Sequence, residues 1–175
     1  MKKIILAINI FAVILILSGC KDSAIEPDAI PMTIEKIAET PGYLWIWDVL
    51  STYKSDSILT LQIGQRLDTN RDKFLIFTRA ACSCPGEKKD FAYIVKILRD
   101  LKFPESKYEL YAMTARSNNH PYLSKFTLND LPAIIYMRNE VPYYSLLDTM
   151  KYNIDHNITY PLFIEELMLE ALKKP

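Results

Sequence analysis

Two cysteines separated by one residue are the clearest candidates for chemistry in this chain. Cys82 and Cys84 flank Ser83, and Pro85 follows directly. A cysteine thiolate can attack a disulfide or bind a soft metal ion, and two neighbouring thiols can form a disulfide reversibly. Bridged cysteines need Cα atoms roughly 4.4–6.8 Å apart, and an extended pair at this spacing lies at or beyond that range. The chain must therefore bend for the bond to close. Such strain suits the pair to oxidation or isomerisation of disulfides more than to supplying electrons.

The third cysteine, Cys20, ends a different kind of segment. The basic pair Lys2-Lys3 precedes an uncharged stretch from Ile4 to Leu17, which is shorter than the ~20 residues that a membrane-spanning helix needs. This arrangement is typical of a signal peptide. The stretch ends in Leu17-Ser18-Gly19-Cys20, which resembles the lipobox of bacterial lipoproteins. The resemblance implies that residues 1–19 are a signal peptide cleaved before Cys20, and that this cysteine carries lipid such as palmitate.

We therefore expect the protein in the envelope of a bacterial cell, with membrane lipid as its partner through Cys20. The sequence leaves open whether it faces the periplasm or the cell surface. Disulfides persist in such compartments, and Cys82 and Cys84 are the thiols that remain once Cys20 is modified. The chain has 21 Lys and Arg residues against 21 Asp and Glu residues, so its charge indicates no nucleic-acid partner.

The composition predicts three segments after the signal peptide. Residues 20–31 are polar with two prolines and are expected to form the lipid anchor and tether. Residues 32–56 are interpreted as an N-terminal extension, and residues 57–175 as the main domain. Within the extension, residues 32–40 have a weak helical pattern, whereas Tyr43 to Thr52 fits either a helix or a strand.

The main domain alternates predicted strands and helices, as in an α/β fold. Phe74 to Phe77 is a continuous apolar run, typical of a strand buried on both faces. Apolar residues then recur at helical spacing from Phe91 to Leu101. Further strands are predicted at 57–63, 108–113, 133–137 and 141–147. The last two would form a hairpin around a turn at 138–140. A final helix is expected to begin at Pro161, and His120 to Asp130 has no regular pattern.

This order of elements resembles a thioredoxin-like domain, and two local features agree with it. The run Cys82 to Pro85 lies between a predicted strand and a predicted helix, where the thioredoxin family carries its redox cysteines. The segment from Asn129 to Tyr136 resembles the family's second landmark, a cis-proline before the strand that packs beside the active site. The resemblance implies a central mixed sheet flanked by helices. It also implies that Pro132 is the cis-proline and that the backbone of Leu131 faces the substrate.

The roles of the two cysteines are less clear from the sequence. The resemblance implies that Cys82 attacks and that Cys84 resolves the mixed disulfide. However, Pro85 fits the first position of a helix, which makes Cys84 the expected N-cap, and the positive end of a helix lowers the pKa of a thiol. That reasoning favours the reverse order, so both orders remain open. The chain also departs from the family's usual motif, which has two residues between the cysteines instead of one.

Three functions are compatible with these residues. The first is thiol–disulfide exchange, as an oxidoreductase or isomerase that acts on protein thiols or disulfides without a cofactor. The second is a non-catalytic binding lipoprotein that keeps the thioredoxin-like fold. The third is a Cu(I)-binding metallochaperone, because thiolates suit Cu(I) and copper chaperones with such folds use two cysteines and a histidine. Its metal ligands would be Cys82, Cys84 and His120, with His156 as the alternative histidine.

Overall fold

A computed structural model describes residues 28–79 and 89–173 of the protein. This part of the chain contains a five-stranded sheet with α-helices packed on it. The strands are β1 (Ile30–Met32), β2 (Asp72–Arg79), β3 (Tyr108–Met113), β4 (Ala133–Arg138) and β5 (Val141–Ser145). The helices are α1 (Ile34–Ala38), α2 (Ile46–Thr52), α3 (Ser57–Arg66), α4 (Asp90–Asp100), α5 (Leu146–Asp155) and α6 (Ile164–Lys173). The predicted α/β class, with a mixed sheet flanked by helices, is confirmed. Within the described residues, none of the helices is long and apolar enough to cross a membrane.

The sheet has β2 at its centre. The strands lie in the spatial order β1-β3-β2-β4-β5, with β2 parallel to β3 and antiparallel to β4. The edge strands β1 and β5 both pair antiparallel with their neighbours. Ile76 of β2 lies opposite Leu110 of β3 and Ile134 of β4. Residues Phe74 to Phe77 are fully buried, which confirms the predicted buried strand.

The two faces of β2 belong to different cores, because alternate side chains of a strand point to opposite faces. Phe74 and Ile76 share one core with side chains of α4, α6 and the N-terminal helices. Leu75 and Phe77 share the other core with Leu128 and other residues of the connection between β3 and β4. The helix that follows β2 and the connection that follows β3 therefore lie on opposite sides of the sheet.

A buried carboxylate joins the start of β2 to β4. Asp72 is fully buried and accepts hydrogen bonds from the Tyr136 hydroxyl (2.7 Å) and from Arg138 Nε (2.9 Å). The backbone N–H of Asp68 donates a third bond, at 2.9 Å. Burial and the hydrogen bond to Asp72 raise the pKa of Tyr136. A buried charge is tolerated when it is paired and hydrogen-bonded, and this network meets that condition.

The strand predicted at 57–63 is wrong, because this segment belongs to helix α3. Asp56 is the N-cap of the helix, and its carboxylate accepts hydrogen bonds from the backbone N–H groups of Ile58 and Leu59, each at 2.9 Å. Such a cap contributes roughly 0.5–2 kcal/mol. Ile63 is fully buried in the core. A short apolar run fits both structures, so the cap and the packing of Ile63 decide in favour of the helix.

The strand predicted at 141–147 is too long. Strand β5 ends at Ser145, and the buried Leu146 begins helix α5, which packs against β4. The hydroxyl of Ser145 donates to the carboxylate of Asp148 in the first turn of this helix, at 2.8 Å. The turn predicted at 138–140 is confirmed, since Asn139 and Glu140 have positive φ angles of 52° and 63°. Two successive residues of this kind are typical of a tight hairpin turn.

The final helix was predicted to begin at Pro161, but α6 begins at Ile164. The carboxylate of Glu166 accepts hydrogen bonds from the backbone N–H groups of Leu162 (2.8 Å) and Phe163 (3.1 Å). A glutamate in the first turn that bonds back to the residues before it satisfies donors that the helix itself leaves free. This contact sets the start of α6 beyond the proline.

The segment interpreted as an N-terminal extension packs into the same core as the main domain. Ile34 and Ile37 of α1 and Ile46 of α2 share that core with Phe74. Helix α1 confirms the weak helical pattern, and α2 resolves the ambiguous segment as a helix. Strand β1, Ile30–Met32, was not predicted, and its first two residues were assigned to the tether. Three residues with a central proline carry little strand pattern, and a sheet edge is where a strand tolerates proline.

Candidate functional site

The candidate site lies at the carboxyl end of β2, from which the chain continues towards the two cysteines. Cys82, Cys84 and Pro85 lie outside the described residues, as does Cys20. The structure describes the residues on either side of the cysteine segment, residues 80–88, in the chain. These are the end of β2 and the start of α4, and the loop before β4 is described as well.

The loop before β4 contains the predicted cis-proline. The peptide bond between Leu131 and Pro132 is cis, which confirms the predicted geometry. In the antiparallel pair of β2 and β4, Phe77 lies opposite Ala133. Pro132 therefore adjoins the last residues of β2. Leu131 is buried, and the role assigned to its backbone in facing a substrate stays a prediction.

Helix α4 begins later than the sequence analysis predicted. It starts at Asp90 with Lys89 as its N-cap, so the prediction that Cys84 caps this helix, with Pro85 in its first position, is wrong. Asp90 supplies a carboxylate in the first turn, where the positive end of the helix dipole stabilises negative charge. Lys89, and not Cys84, therefore occupies the cap position at which this helix would lower the pKa of a thiol.

The chain connections at this end of the sheet diverge to opposite faces. Helix α4 follows β2 and packs on the face of Phe74 and Ile76. The connection after β3 packs on the face of Leu75 and Phe77. In open α/β sheets, ligands bind in the crevice outside the carboxyl ends of strands at points where connections diverge in this way. The carboxyl end of β2 is thus a physically favoured position for a binding or catalytic site.

Tyr43, from the N-terminal segment, hydrogen-bonds to the end of β2. The hydroxyl of Tyr43 hydrogen-bonds to the Thr78 hydroxyl (2.9 Å) and donates to the carbonyl oxygen of Arg79. Its ring packs edge-on against Phe91 of α4 and beside Trp45, with centroid separations of 5.9 and 6.0 Å. Tyr43 therefore links the strand before the cysteines to the helix after them. Tyr43 was not predicted as part of the site, because no local pattern marks a contact between residues so distant in the chain.

A groove of about 310 Å³ opens beside Pro132. Half of its lining is apolar and half is charged. The apolar lining residues are Leu131, Pro132, Leu147, Met150 and Ile154. The charged lining residues are Asp90, Asp130, Asp148, Lys151 and Asp155. The groove was not predicted, because its walls come from the start of α4, the loop before β4 and helix α5, which are far apart in the sequence.

Two of the aspartates in the groove are held by neighbouring side chains. Asp148 accepts hydrogen bonds from the Ser145 hydroxyl (2.8 Å) and from the side-chain amide of Asn129 (2.9 Å). The bond from Asn129 ties the loop before β4 to helix α5. Asp155 forms an ion pair with Lys151, at 2.8 Å. The lysine is therefore already matched by a carboxylate.

The other two aspartates, Asp90 and Asp130, have no ion-pair partner among residues 28–79 and 89–173. Asp130 accepts a hydrogen bond from the backbone N–H of Leu131, at 2.7 Å. Burial raises the pKa of the Asp90 carboxyl. A hydrogen bond from its own backbone N–H lowers this pKa, but only partly offsets the effect of burial. The groove thus has an excess of negative charge, and part of that charge is poorly solvated.

His120, the histidine of the copper hypothesis, is buried on the sheet face opposite α4. Its ring packs against Phe77 and Phe126, with centroid separations of 5.0 and 5.2 Å. The backbone N–H of Tyr122 donates to Nδ1 at 3.3 Å, whereas the buried Nε2 has no hydrogen-bond partner within the described part of the chain. Burial lowers the pKa of this imidazole. The irregular connection predicted around it is confirmed, but its burial was not predicted.

The alternative histidine, His156, is exposed at the C-terminal end of α5 and stacks on Tyr152 at 4.0 Å. Within the residues that the structure describes, no group of three His, Cys, Asp or Glu side chains is arranged to hold a metal ion. Because both cysteines lie outside that part, the three-ligand copper site stays a prediction.

No family model, no curated protein and no solved structure matches this chain. At the carboxyl end of β2, the strand before the cysteines, the helix after them, Pro132 and the groove come together.

Proposed function

We propose that this chain is an envelope lipoprotein with a thioredoxin-like fold that exchanges thiols and disulfides through Cys82 and Cys84. In the reductive direction, the Cys82 thiolate attacks one sulfur of a substrate disulfide, the S–S bond breaks, and the second substrate sulfur leaves as a thiolate that takes up a proton. Cys84 then attacks the Cys82 sulfur of the mixed disulfide. This step releases the reduced substrate and leaves the pair oxidised. The same steps in reverse oxidise a substrate dithiol and reduce the pair.

This proposal rests on one observation. Pro132 lies near the residues on both sides of the cysteine segment in the chain, which are the end of β2 and the start of α4. The register of β2 and β4 sets Pro132 beside the end of β2. Asp90, at the start of α4, lines the same groove as Pro132. Tyr43 bonds to Arg79 on one flank and packs against Phe91 on the other. The cysteine segment is therefore connected at both ends to the surroundings of the proline that the thioredoxin-like resemblance assigns to the active site.

The order of elements gives further support. Strand β2, helix α4, strand β3, an irregular connection and the hairpin of β4 and β5 follow one another as in the pattern that suggested the resemblance. Among the described elements from β2 onward, helix α5 is an addition to that pattern, and it lies between the hairpin and the final helix. This helix adds a wall to the groove beside Pro132.

The reduction potential of the full chain tests the redox proposal. We expect the Cys82–Cys84 disulfide to form reversibly and to be more oxidising than the ~−270 mV of thioredoxin, because a single intervening residue strains the oxidised form. Equilibration in thiol redox buffers, followed by alkylation and mass spectrometry of the peptide that holds both cysteines, measures the potential. Failure to form this disulfide reversibly would contradict the proposed function. A potential more negative than thioredoxin's would contradict the strain argument.

The copper alternative has one specific observation in its favour, which is the buried Nε2 of His120 without a hydrogen-bond partner among the described residues. If the redox proposal is right, titration of the reduced full chain with Cu(I) should show no tight stoichiometric binding. The measurement is competition with a chromogenic Cu(I) chelator. A tight site that is lost in both Cys82→Ser and His120→Ala, but is kept in His156→Ala, would favour the metallochaperone function instead.

Anchoring through Cys20 has its own test. Cys20→Ala should accumulate as an unprocessed precursor, because lipid attachment and cleavage both require the cysteine of the lipobox. Mass spectrometry of the N-terminal peptide from membrane-extracted protein should show a diacylated or triacylated Cys20. A mature N-terminus at any other residue would show that the interpretation of residues 1–19 is wrong.

A further inference from the structure

We infer that the groove beside Pro132 binds a polypeptide segment in which a lysine or arginine lies next to an apolar residue. This inference deepens the proposed function and rests on it, because it names the class of substrate that the groove presents to the cysteine pair. The segment would belong to the protein whose thiols or disulfide react.

The apolar residues that line the groove favour contact with an apolar side chain of the ligand. Leu147 and Met150 are partly exposed, and Ile154 is 59% exposed, although all three line a concave surface. Covering such side chains removes apolar surface from water, which stabilises a complex. The volume of the groove, about 310 Å³, suits a few side chains of an extended peptide better than a large cofactor.

The charged residues that line the groove are mostly acidic, and they favour a positively charged group of the ligand. The groove has four aspartates against one lysine, whereas the whole chain has equal numbers of acidic and basic residues. Lys151 is already paired with Asp155, so the excess negative charge lies on the remaining aspartates. A basic side chain from a partner could form an ion pair with Asp90 or Asp130, neither of which forms one among the described residues, and an acidic segment would be repelled.

A metal ion fits this surface less well than an organic cation. Divalent cations such as Ca²⁺ take about six to eight oxygen ligands at close range. Within the described residues, the aspartates of the groove do not form a group of three that could hold a metal ion. Carboxylates spread along an apolar surface suit instead the separated charge and hydrocarbon parts of a peptide, in which lysine and arginine also bring apolar stems.

Binding can be measured without redox chemistry. The full chain carrying Cys82→Ser and Cys84→Ser, in mild detergent, is titrated against fluorescent peptides of one length, and anisotropy is recorded. One peptide has lysines beside leucines, the second has glutamates in place of the lysines, and the third has serines in place of the leucines. The lysine–leucine peptide should bind at least about tenfold more tightly than the glutamate peptide, and added salt should weaken its binding. The serine peptide should also bind more weakly.

Matched substitutions locate the binding surface. Asp130→Asn should weaken binding of the lysine–leucine peptide by about threefold, while Asp100→Asn, an exposed aspartate on α4 outside the groove, should leave it unchanged. Ile154→Ser should weaken binding, whereas Ile58→Ser, at a similarly exposed isoleucine on α3, should not. Equal affinity for the lysine and glutamate peptides, or equal losses in the groove and control variants, would overturn the inference.

Groove-dependent binding by a chain whose cysteine pair proves inactive would refute the redox function alone. An active pair without charge-selective binding would refute the groove inference alone.

Discussion

Cys84→Ser is expected to accumulate mixed disulfides with partner proteins, whereas Cys82→Ser is expected to lose thiol–disulfide exchange down to the uncatalysed background. The reason is that the two cysteines have different roles in the proposed mechanism. The first thiolate forms the covalent link to the substrate, and the second breaks that link. Non-reducing electrophoresis of envelope extracts detects the trapped species, and exchange with a fluorescent test disulfide measures the rate.

Three outcomes of this experiment are informative. Ser83→Ala keeps both thiols and serves as the control that should retain exchange. If Cys82→Ser is the variant that traps partners, the assigned order of attack is reversed and the function stands. If neither variant traps a partner and the unmodified chain exchanges no test disulfide, the enzyme proposal fails. The hypothesis that then remains is a non-catalytic binding lipoprotein with a thioredoxin-like fold.

Asp72→Ala is expected to lower the free energy of unfolding by about 3–5 kcal/mol, the cost of breaking a buried ion pair from one side. The substitution removes the fully buried carboxylate to which Tyr136, Arg138 and the backbone of Asp68 donate. It also leaves the buried Tyr136 hydroxyl without its acceptor. Urea unfolding of the full chain, followed by circular dichroism, measures the change.

Two further variants keep this prediction testable if Asp72→Ala does not fold. Tyr136→Phe removes one hydrogen bond of the network and should cost about 1–2 kcal/mol. Asp100→Ala removes the exposed pair with Lys96 and should cost less than about 1 kcal/mol. If Tyr136→Phe and Asp100→Ala have the same small effect, the buried network does not hold β2 and β4 together.

The centre of the fold could be predicted from the sequence, because its signals are strong and local. The continuous apolar run at Phe74 to Phe77 predicts a strand covered on both faces, and the structure buries it completely. The helical spacing of apolar residues after Phe91 predicts α4, although the helix starts at Asp90 and not near the cysteines. The cis bond before Pro132 followed from a resemblance in residue order and not from any energetic argument.

Contacts between distant parts of the chain decided what the sequence left open or misread. Residues 57–63 fit a strand until the cap at Asp56 and the burial of Ile63 select a helix. His120 sits in a polar, irregular segment, yet the sheet brings Phe77 against its ring and buries it. Local patterns do not report which distant surface will cover a side chain.

What the sequence by itself determined is the chemistry that is available: one cysteine at the end of a segment that resembles a lipobox, two more with a single residue between them, and a proline before a buried strand. The tertiary structure decided what surrounds that chemistry. It set Pro132 beside the end of β2, joined both flanks of the cysteine segment through Tyr43, and assembled the acidic groove from three separate segments. The physical reason is that residue types fix reactivity locally, whereas burial, charge pairing and the shape of a groove depend on side chains that meet only after the chain has folded.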